Sequence, residues 1–417
     1  MTKNFTPLYN HEMRLNAPPS KAHTLRALFL GALAQGKTVL QSPLLADDQK
    51  VAIQALKQLG ADISIQRDSA TIQGTGGNRV QDSGSLFVGN SGVTCRFLSA
   101  IAPLLCKQSV AIDGDLAMRK RPLTQLLIAL EPLGIHSDSE TGCPPLTLTC
   151  KRFTGGATSV AGNISSQYLS AILLAAPFAE NDIVVSIDGE LKSGPYVEIT
   201  LDMMRRFGAE VEHEGSTYRV TAGKRYKAVA PYEIEGDYSN ASYFLAQAAI
   251  THTRITIDRL MPNSLQGDRK ILDLLKQFGC NVSREGSSVT VEGRPLSSIC
   301  VEMSDTPDLV PTVAVIAAFA KGTTKINGVG HLRYKETDRL KAIVSELKKM
   351  GIKAFSEEET LWIEGGTPQA AEIDTYNDHR IAMAFSVAKR AIPKIVIRCP
   401  ECVNKSFPDF FDLWNLQ

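Results

Sequence analysis

Apolar and polar positions recur along the chain with a period of about 72 residues. The most regular element is an amphipathic helix that ends at a glycine, after which a short strand with alternating polarity follows. Successive glycines of this set lie 74, 74, 71 and 72 residues apart, and the set is Gly60, Gly134, Gly208, Gly279 and Gly351. The pattern predicts that each of these glycines ends a helix in the left-handed conformation.

A second pattern has the same period and consists of an Ala-rich helix, a polar turn and a β-branched strand. It occurs six times, with the turns and strands at 36–39, 108–110, 182–185, 253–256, 322–326 and 393–396. We therefore predict six α/β units, three in each of two domains. A closed arrangement, with helices inside and sheets outside, suits a repeat that is too long for a typical solenoid.

Loop-like sequence at 235–240 and the Pro18-Pro19 pair mark the two places where the chain is expected to cross between domains. The predicted domains are residues 20–235, and residues 1–19 together with 236–417. A ligand site is expected in the cleft between them.

Composition limits the function classes. The 417 residues are 43% hydrophobic and 21% charged, and 45 Lys and Arg against 44 Asp and Glu leave a net charge of +1. No global charge attracts nucleic acid or a membrane, so any anion site must be local. The chain begins without a signal-peptide pattern and has no apolar run of 18 residues, which predicts a cytoplasmic protein. The eight cysteines are scattered, and the lone Cys399–Cys402 pair favours packing or surface thiols over zinc.

The stretch Leu332–Leu340 carries the densest charge. A helix over 335–347 would place Lys335 and Arg339 on one edge of its first turn, where like charges and the helix dipole both disfavour cations. Glu336 could neutralise Arg339, or act as an acid or base beside a bound anion. A solvated charged face is the ordinary alternative.

Other predicted helix starts also carry cations or clustered polar groups. Each alone fits a cap, a turn or a surface patch, and Asp308, before an apolar helix at 309–320, could be a cap or a base. Cations at helix N-termini do not help capping, so their excess indicates a ligand with several anionic groups. The positions are Lys21, Arg26, the turn 89–92, Arg121, Ser165, Ser166, Gln167, Ser193, Tyr196, Arg380 and Lys405.

These residues resemble the 5-enolpyruvylshikimate-3-phosphate synthase family (3-phosphoshikimate 1-carboxyvinyltransferase) over nearly the whole chain. Nine motifs match in order, at 20–28, 89–96, 118–122, 165–167, 237–244, 307–308, 332–340, 378–383 and 405–409. The resemblance implies an α/β (α+β) fold of two inside-out, barrel-like domains, each of three βαβαββ units, in agreement with the six repeats.

The resemblance also implies transfer of the enolpyruvyl group of phosphoenolpyruvate (PEP) to the 5-hydroxyl of shikimate 3-phosphate, within aromatic amino-acid and chorismate biosynthesis. No metal or other cofactor is expected, and the enzyme is expected to be a monomer. Asp308 would be the base, and Glu336 or Lys21 the acid. The implied PEP ligands are Lys21, Asn90, Gly92, Arg121, Gln167, Arg339, Arg380 and Lys405. The implied ligands of shikimate 3-phosphate are Lys21, Arg26, Ser165, Ser166, Gln167, Ser193, Tyr196, Asp308, His331 and Lys335.

Four positions depart from the usual pattern of the family. Ala22 replaces a serine expected to contact shikimate phosphate, and His331 stands where Asn or another polar residue is frequent. Val93 and Phe97 stand where Thr and Pro are common, beside the turn implied to meet PEP. Because glyphosate competes for the PEP site, we expect altered sensitivity to this inhibitor.

Three alternatives are open to test. An enolpyruvyl transferase acting on UDP-N-acetylglucosamine normally carries a reactive cysteine before the Arg-Pro motif, but 114–117 has none and Cys106 comes too early. An RNA 3′-phosphate cyclase would need a nucleotide-attaching histidine and a basic face, against which the +1 charge and the intact 335–339 motif argue. A non-catalytic anion-binding relative would not need both Asp308 and Glu336.

Overall fold

The repeats in the sequence correspond to a series of small sheets. The computed structural model describes residues 12–415, in which five sheets have four strands and a sixth has two. The first described strand, β1 (Glu12–Asn16), does not join the elements that follow it in sequence, but pairs in parallel with a strand of the second half.

The first half contains three units that alternate strands and helices. Its elements are α1 (Lys21–Leu33), β2 (Lys37–Gln41), α2 (Asp47–Gln58), β3 (Asp62–Ile65), β4 (Ser69–Gln73), β5 (Gly84–Phe87), α3 (Gly92–Leu105), β6 (Ser109–Asp113), α4 (Thr124–Leu130), β7 (His136–Asp138), β8 (Leu146–Thr149), β9 (Gly156–Ala161), α5 (Ser166–Ala175), β10 (Ile183–Asp188), α6 (Pro195–Arg206), β11 (Val211–Glu214), β12 (Thr217–Val220) and β13 (Tyr232–Glu233).

The second half repeats the arrangement. Its elements are α7 (Tyr238–Thr251), β14 (Arg254–Asp258), α8 (Ile271–Phe278), β15 (Asn281–Glu285), β16 (Ser288–Glu292), β17 (Cys300–Glu302), α9 (Val310–Ala318), β18 (Gly322–Asn327), α10 (Arg339–Lys349), β19 (Lys353–Glu357), β20 (Thr360–Gly365), β21 (Glu372–Ile373), α11 (His379–Ala391), β22 (Val396–Ile397) and α12 (Phe410–Asn415).

One topology describes all five complete sheets. The first strand runs parallel to the second, and an antiparallel hairpin then adds the last two strands, as in the order β5-β6-β8-β7. In the sheet that contains β2, the first strand is β13. In the sheet that contains β14, the first strand is β1. The chain crosses between the halves at Pro19 and Gly236, which are joined by an isolated β-bridge.

Two separate hydrophobic cores follow from this arrangement. One runs from Leu25 to Ile234, and the other combines Ala17 with residues from Tyr238 to Trp414. Helices α1, α3, α5, α7, α9 and α11 are buried almost all round, whereas α2, α4, α6, α8 and α10 bury one face. Helices that are apolar on every side belong inside a core, so the prediction of helices inside and sheets outside is confirmed.

The helix-ending glycines and the six β-branched strands are confirmed as well. The five glycines have φ between 75° and 111°, a region that costs a side chain with a Cβ about 1 kcal/mol or more. The six predicted strands are β2, β6, β10, β14, β18 and β22.

Two predictions about the elements are wrong. The sixth unit is not a full βαβαββ unit, because β22 is followed by a 3₁₀ helix (Pro400–Lys405) and α12, with no hairpin in the described residues. The helix expected over 335–347 begins only at Arg339, because the Asp338 side chain accepts a hydrogen bond from the Lys341 N–H and caps it there. Lys335 is extended and does not share a helix edge with Arg339.

A small difference in length also occurs. The helix expected over 309–320 is shorter, at Val310–Ala318. Among residues 12–415, no helix combines the length and the apolar character needed to cross a membrane.

Candidate active site

A cleft between the two halves brings together the starts of several helices. The N-termini of α1, α3 and α5 form one wall, and the segments around Asp308, Glu336 and Arg380 form the other. The cleft contains about 970 Å³ of space between protein atoms, part of it open to solvent. Free N–H groups at helix starts, together with cationic side chains, make such a wall suited to anions.

Direct contacts join the two walls. The Tyr196 hydroxyl donates to Oδ2 of Asp308 at 3.2 Å, and the Ser193 N–H donates to the Ser304 carbonyl at 3.1 Å. The ammonium group of Lys405 donates to the backbone carbonyl of Asn90. The structure therefore represents the two halves in contact around the cleft.

Gly92 lets the start of α3 approach two arginines closely. A Cβ at this position would lie 2.6 Å from Nη1 of Arg96 and 2.8 Å from both terminal nitrogens of Arg121. In the described part of the chain, Nε and Nη1 of the buried Arg121 have no hydrogen-bond partner. Oε1 of Glu336 is 3.8 Å from Nη1, which is an ion-pair distance but too long for a hydrogen bond. Buried guanidinium nitrogens without hydrogen bonds are costly, so this arginine can bind an anion at the glycine turn.

Arg339 lies at the centre of a buried ionic network. Its Nε is 2.8 Å from Oδ2 of Asp378, its Nη1 2.9 Å from Oδ1 of Asp308, and its Nη2 2.8 Å from Oε2 of Glu336. Its side chain is 1% exposed. Asp378 also accepts a hydrogen bond from the Arg380 N–H at the start of α11. Three carboxylates around one cation leave negative charge that the neighbouring cations offset.

Asp308 is held as a carboxylate by its neighbours. Its Oδ2 accepts from Nη2 of Arg380 at 3.0 Å, in addition to the Arg339 contact. Burial acts to raise the pKa of Asp308, but Arg380 and Arg339 outweigh it and hold that pKa well below the usual range. Asp308 is therefore an ionised hydrogen-bond acceptor, and its side chain does not cap α9.

Glu336 is also ionised. Its Oε1 lies 3.8 Å from Nη1 of Arg121 and 3.9 Å from Nζ of Lys405. Burial acts to raise the pKa of Glu336, but Arg339, Arg121 and Lys405 together keep it well below its ordinary value. Without bound anions this carboxyl group has no proton to give.

Lysines complete the cationic wall. The ammonium group of Lys21 lies 2.7 Å from Oδ2 of buried Asp48, and that of Lys405 lies 3.5 Å from Oδ1 of the same residue. Burial lowers the pKa of Lys335 to about 8, so a bound anion would be needed to keep it fully charged at mildly alkaline pH.

Comparisons with known proteins agree over almost the whole chain. Residues 8–414 match the family model described as EPSP synthase (3-phosphoshikimate 1-carboxyvinyltransferase). The chain belongs to the EPSP synthase family. The alternatives involving UDP-N-acetylglucosamine or RNA ends are not favoured.

Two curated relatives carry the name 3-phosphoshikimate 1-carboxyvinyltransferase. The protein from Methanocella arvoryzae is 42% identical over 408 residues, which is 96% of each chain. The protein from Nostoc punctiforme is 41% identical and covers 94% of this chain and 93% of its own. An EPSP synthase structure from Acinetobacter baumannii superposes with a TM-score of 0.80 at 27% identity, covering 97% and 95% of the two chains. The chain is thus an enzyme that transfers the enolpyruvyl group of PEP to shikimate 3-phosphate.

Most residues predicted for this EPSP synthase site lie together. Of the predicted set, the cleft is lined by Lys21, Arg26, Gly92, Arg121, Ser165, Ser166, Gln167, Ser193, Tyr196, Asp308, Lys335, Glu336, Arg339 and Arg380. Lys405 and Asn90 sit beside this lining, joined by their mutual hydrogen bond. Arg26 already donates to Thr200 and to the Tyr196 carbonyl, so its guanidinium is held in place by the protein.

His331 lies apart from the main lining. It lines a smaller adjoining cavity together with Arg96, Arg121 and Lys335. Burial lowers the pKa of His331 to about 3, against smaller opposing effects of Asp308 and the Gly328 backbone. A neutral imidazole at this place can serve as a polar contact but carries no charge at neutral pH.

Sequence reasoning missed several acidic residues of the EPSP synthase cleft. Asp48 and Asp268 line it without having been singled out, and Asp237 lines it although it was noted only as part of a motif. Asp48 resembles an ordinary acidic residue of a helix first turn, and Asp268 lies in a short 3₁₀ helix. Charge balance could have predicted acidic residues in the cleft, because so many converging cations require buried carboxylates nearby.

Replacing Gly92 with alanine is expected to raise the KM for PEP about 10-fold to 100-fold, because the new methyl group displaces Arg121. Steady-state kinetics with each substrate varied would measure this. Gly84→Ala is a matched control, because a Cβ there meets only Val110 and Cys106 at 3.5 and 3.8 Å. A KM for PEP that changes equally little in both variants would contradict the role of this close approach.

Proposed function

We propose that PEP binds on the cationic side of the cleft, between Lys21, Gly92 and Arg121 of the first half and Arg380 and Lys405 of the second. The observation that carries this assignment is that Nε and Nη1 of Arg121 and Nε of Arg380 are buried without hydrogen-bond partners in residues 12–415. A ligand with a carboxylate and a phosphate can satisfy several such donors at once. Asn90, Gln167 and Arg339 complete the proposed set.

Shikimate 3-phosphate is proposed to bind along the polar turns of the first half. Ser165 caps α5 by accepting from the Gln167 N–H at 3.3 Å, and Ser166 follows it at the helix start. Hydroxyl groups and free N–H groups at a helix N-terminus are common ligands of a phosphate. Lys21, Arg26, Ser193, Tyr196, Asp308, His331 and Lys335 are proposed to complete this site.

Asp308 is proposed to act as the general base. It takes the proton of the 5-hydroxyl as that oxygen forms a bond to C2 of PEP, and a proton from Glu336 or Lys21 is added to the methylene carbon. In the second step a proton leaves the methyl carbon for the group that supplied it, the carbon–phosphate oxygen bond breaks, and phosphate leaves with the hydroxyl proton that Asp308 had taken. The converging cations stabilise the anionic tetrahedral intermediate.

Bound substrates adapt the two carboxylates to these roles. In the ligand-free cleft, Asp308 and Glu336 are ionised because arginines and a lysine surround them. Substrate anions would share those cations and raise the pKa of both groups, which strengthens Asp308 as a base and allows Glu336 to carry a proton.

The domain boundaries at 19/20 and 235/236 are proposed as well, supported by two separate hydrophobic cores. Relative movement of the domains would admit substrates and exclude water. The cytoplasmic location and the monomeric state remain predictions.

Release of phosphate from PEP tests the proposed function. We expect release only when both PEP and shikimate 3-phosphate are present, and no release when UDP-N-acetylglucosamine replaces the shikimate compound. Phosphate release with PEP and UDP-N-acetylglucosamine, but not with PEP and shikimate 3-phosphate, would overturn the assignment of the acceptor.

Glyphosate is proposed to compete with PEP, and the chain's own residues are expected to alter its inhibition. Val93 lines the cleft, while Phe97 is fully buried beneath the Arg26 guanidinium, 5.6 Å from it. A Val93→Thr/Phe97→Pro double variant should therefore change the glyphosate concentration for half-inhibition at fixed PEP. Equal inhibition of the two proteins would contradict the expectation.

A further inference from the structure

Asp268 lies in the wall of the cleft but has no role in the binding sets above. It belongs to a 3₁₀ helix, Gly267–Lys270, that precedes α8, and it is 3% exposed. It lines the cleft together with Ser239 and Gln266. A buried carboxyl group is stable there only if it is protonated, paired with a cation or hydrogen-bonded to another group.

Among the described residues, only one of the two carboxyl oxygens of Asp268 has a hydrogen-bond partner. Oδ2 accepts a hydrogen bond from the Ser239 hydroxyl. Oδ1 is shielded from solvent and has no partner among the described residues. The side chain borders the cleft, and a buried carboxyl oxygen without a hydrogen-bond partner requires one, so a ligand that fills the cleft is the candidate partner.

The position of Asp268 points to the acceptor substrate. A Cβ on the preceding Gly267 would lie 2.9 Å from Cγ of Pro195, so this segment packs directly against the start of α6. The next residue, Tyr196, belongs to the proposed site of shikimate 3-phosphate. Asp268 therefore lies beside the start of α6, next to a residue of the proposed shikimate 3-phosphate site.

We propose that Asp268 is a substrate-binding residue whose free carboxyl oxygen carries a proton and donates a hydrogen bond to an anionic oxygen of shikimate 3-phosphate. This inference rests on the proposed placement of the acceptor. It assigns to the cleft a neutral acid that contributes a donor without adding a negative charge next to the anionic substrates.

The electrostatic surroundings support a protonated form. Burial, with Asp308 as the next contributor and Asp237 as a smaller one, raises the pKa of Asp268 to about 7, against the opposing effects of Ser239 and Arg380. Tyr196 is another titratable neighbour, and burial and the nearby carboxylates keep its pKa well above the ordinary value, so it stays neutral. Anions entering the cleft would raise the pKa of Asp268 further and favour the protonated acid.

The test compares Asp268→Ala and Asp268→Asn with the wild-type enzyme, measuring kcat and both KM values from pH 6 to pH 9. Asp273→Asn is the matched control, because Asp273 follows on α8 with a side chain that is 71% exposed. We expect Asp268→Ala to raise the KM for shikimate 3-phosphate about 10-fold or more, because a charge-assisted hydrogen bond is lost. The KM for PEP should change less than about twofold, as in the control.

The pH profile separates binding from a structural role. In the wild type, the KM for shikimate 3-phosphate should rise as Asp268 loses its proton above about pH 7. In Asp268→Asn, which keeps a donor that cannot ionise, this dependence should disappear, while a later rise due to Lys335 should remain. Thermal melting verifies that both variants are folded.

The outcomes are distinct from a failure of the proposed function, which phosphate release by the wild type decides. Weaker binding of both shikimate and its 3-phosphate by Asp268→Ala places the contact at the carboxylate, and weaker binding of the 3-phosphate alone places it at the phosphate. A KM for shikimate 3-phosphate that matches the Asp273→Asn control, or an equal rise in both KM values, overturns the proposal.

Discussion

Replacing Asp308 with asparagine is expected to lower kcat for phosphate release by about 10²-fold to 10⁴-fold, the usual contribution of a general base. Asparagine has nearly the same shape, but its single oxygen can accept from only one of Arg339 and Arg380, which contact the two different carboxylate oxygens at 2.9 and 3.0 Å. It cannot take the hydroxyl proton. Because removal of a negative charge leaves the cleft more cationic, the KM values for the two anionic substrates should stay the same or fall.

The decisive comparison is between the effect of Asp308→Asn on kcat and its effect on each KM. Steady-state phosphate release with each substrate varied in turn measures both. Asp305→Asn serves as the control, since it removes the same charge three residues away and still accepts the Gly194 N–H, now at 3.0 Å from Oδ1. If Asp308→Asn retained kcat within about tenfold of the wild type, Asp308 would not be the base. If instead both KM values rose while kcat was kept, Asp308 would have a role in binding only.

The repeat architecture was predictable because it depends on local rules. A glycine that ends a helix and a β-branched run after a polar turn leave marks in the sequence whatever they pack against. Gly60 and Gly279, more than 200 residues apart, end their helices in the same left-handed conformation, with φ of 101° and 111°. Within residues 12–415 the sixth unit lacks a hairpin, and this also has a local sign, because the helix-ending glycine occurs five times in the repeat pattern and not six.

The site was predictable only in part. Its cations stand out at helix starts, where ordinary capping would not place them. Asp48 and Asp268 do not stand out, because their distinction from surface acids arises when α1, α2 and the turn before α8 come together. The sequence places Lys335 in a helix because the apolar residues that follow it have helical spacing. In the structure the helix begins later, because the Asp338 side chain caps it at Arg339.

A second large effect is expected for Arg339→Met, which should lower the free energy of unfolding by about 3–5 kcal/mol, the usual result of removing one partner from a buried ion pair. Methionine fills much of the same volume, yet it leaves Asp378, Asp308 and Glu336 without their shared cation. The Asp378 side chain is fully buried, so water cannot replace the lost contact. Urea unfolding followed by tryptophan fluorescence suits this test, because Trp362 and Trp414 both lie in the second half.

Two further variants make the result specific to the network. Arg333→Met removes a cation from the neighbouring turn whose nearest carboxylate, on Asp338, is 3.6 Å away with both side chains 35% exposed, so it should cost less than about 1 kcal/mol. Adding Asp378→Asn to Arg339→Met should recover part of the loss, since asparagine keeps the cap of α11 and removes the buried unpaired charge. A double variant no more stable than Arg339→Met would show that the loss comes from packing around Arg339, and not from the uncompensated carboxylates.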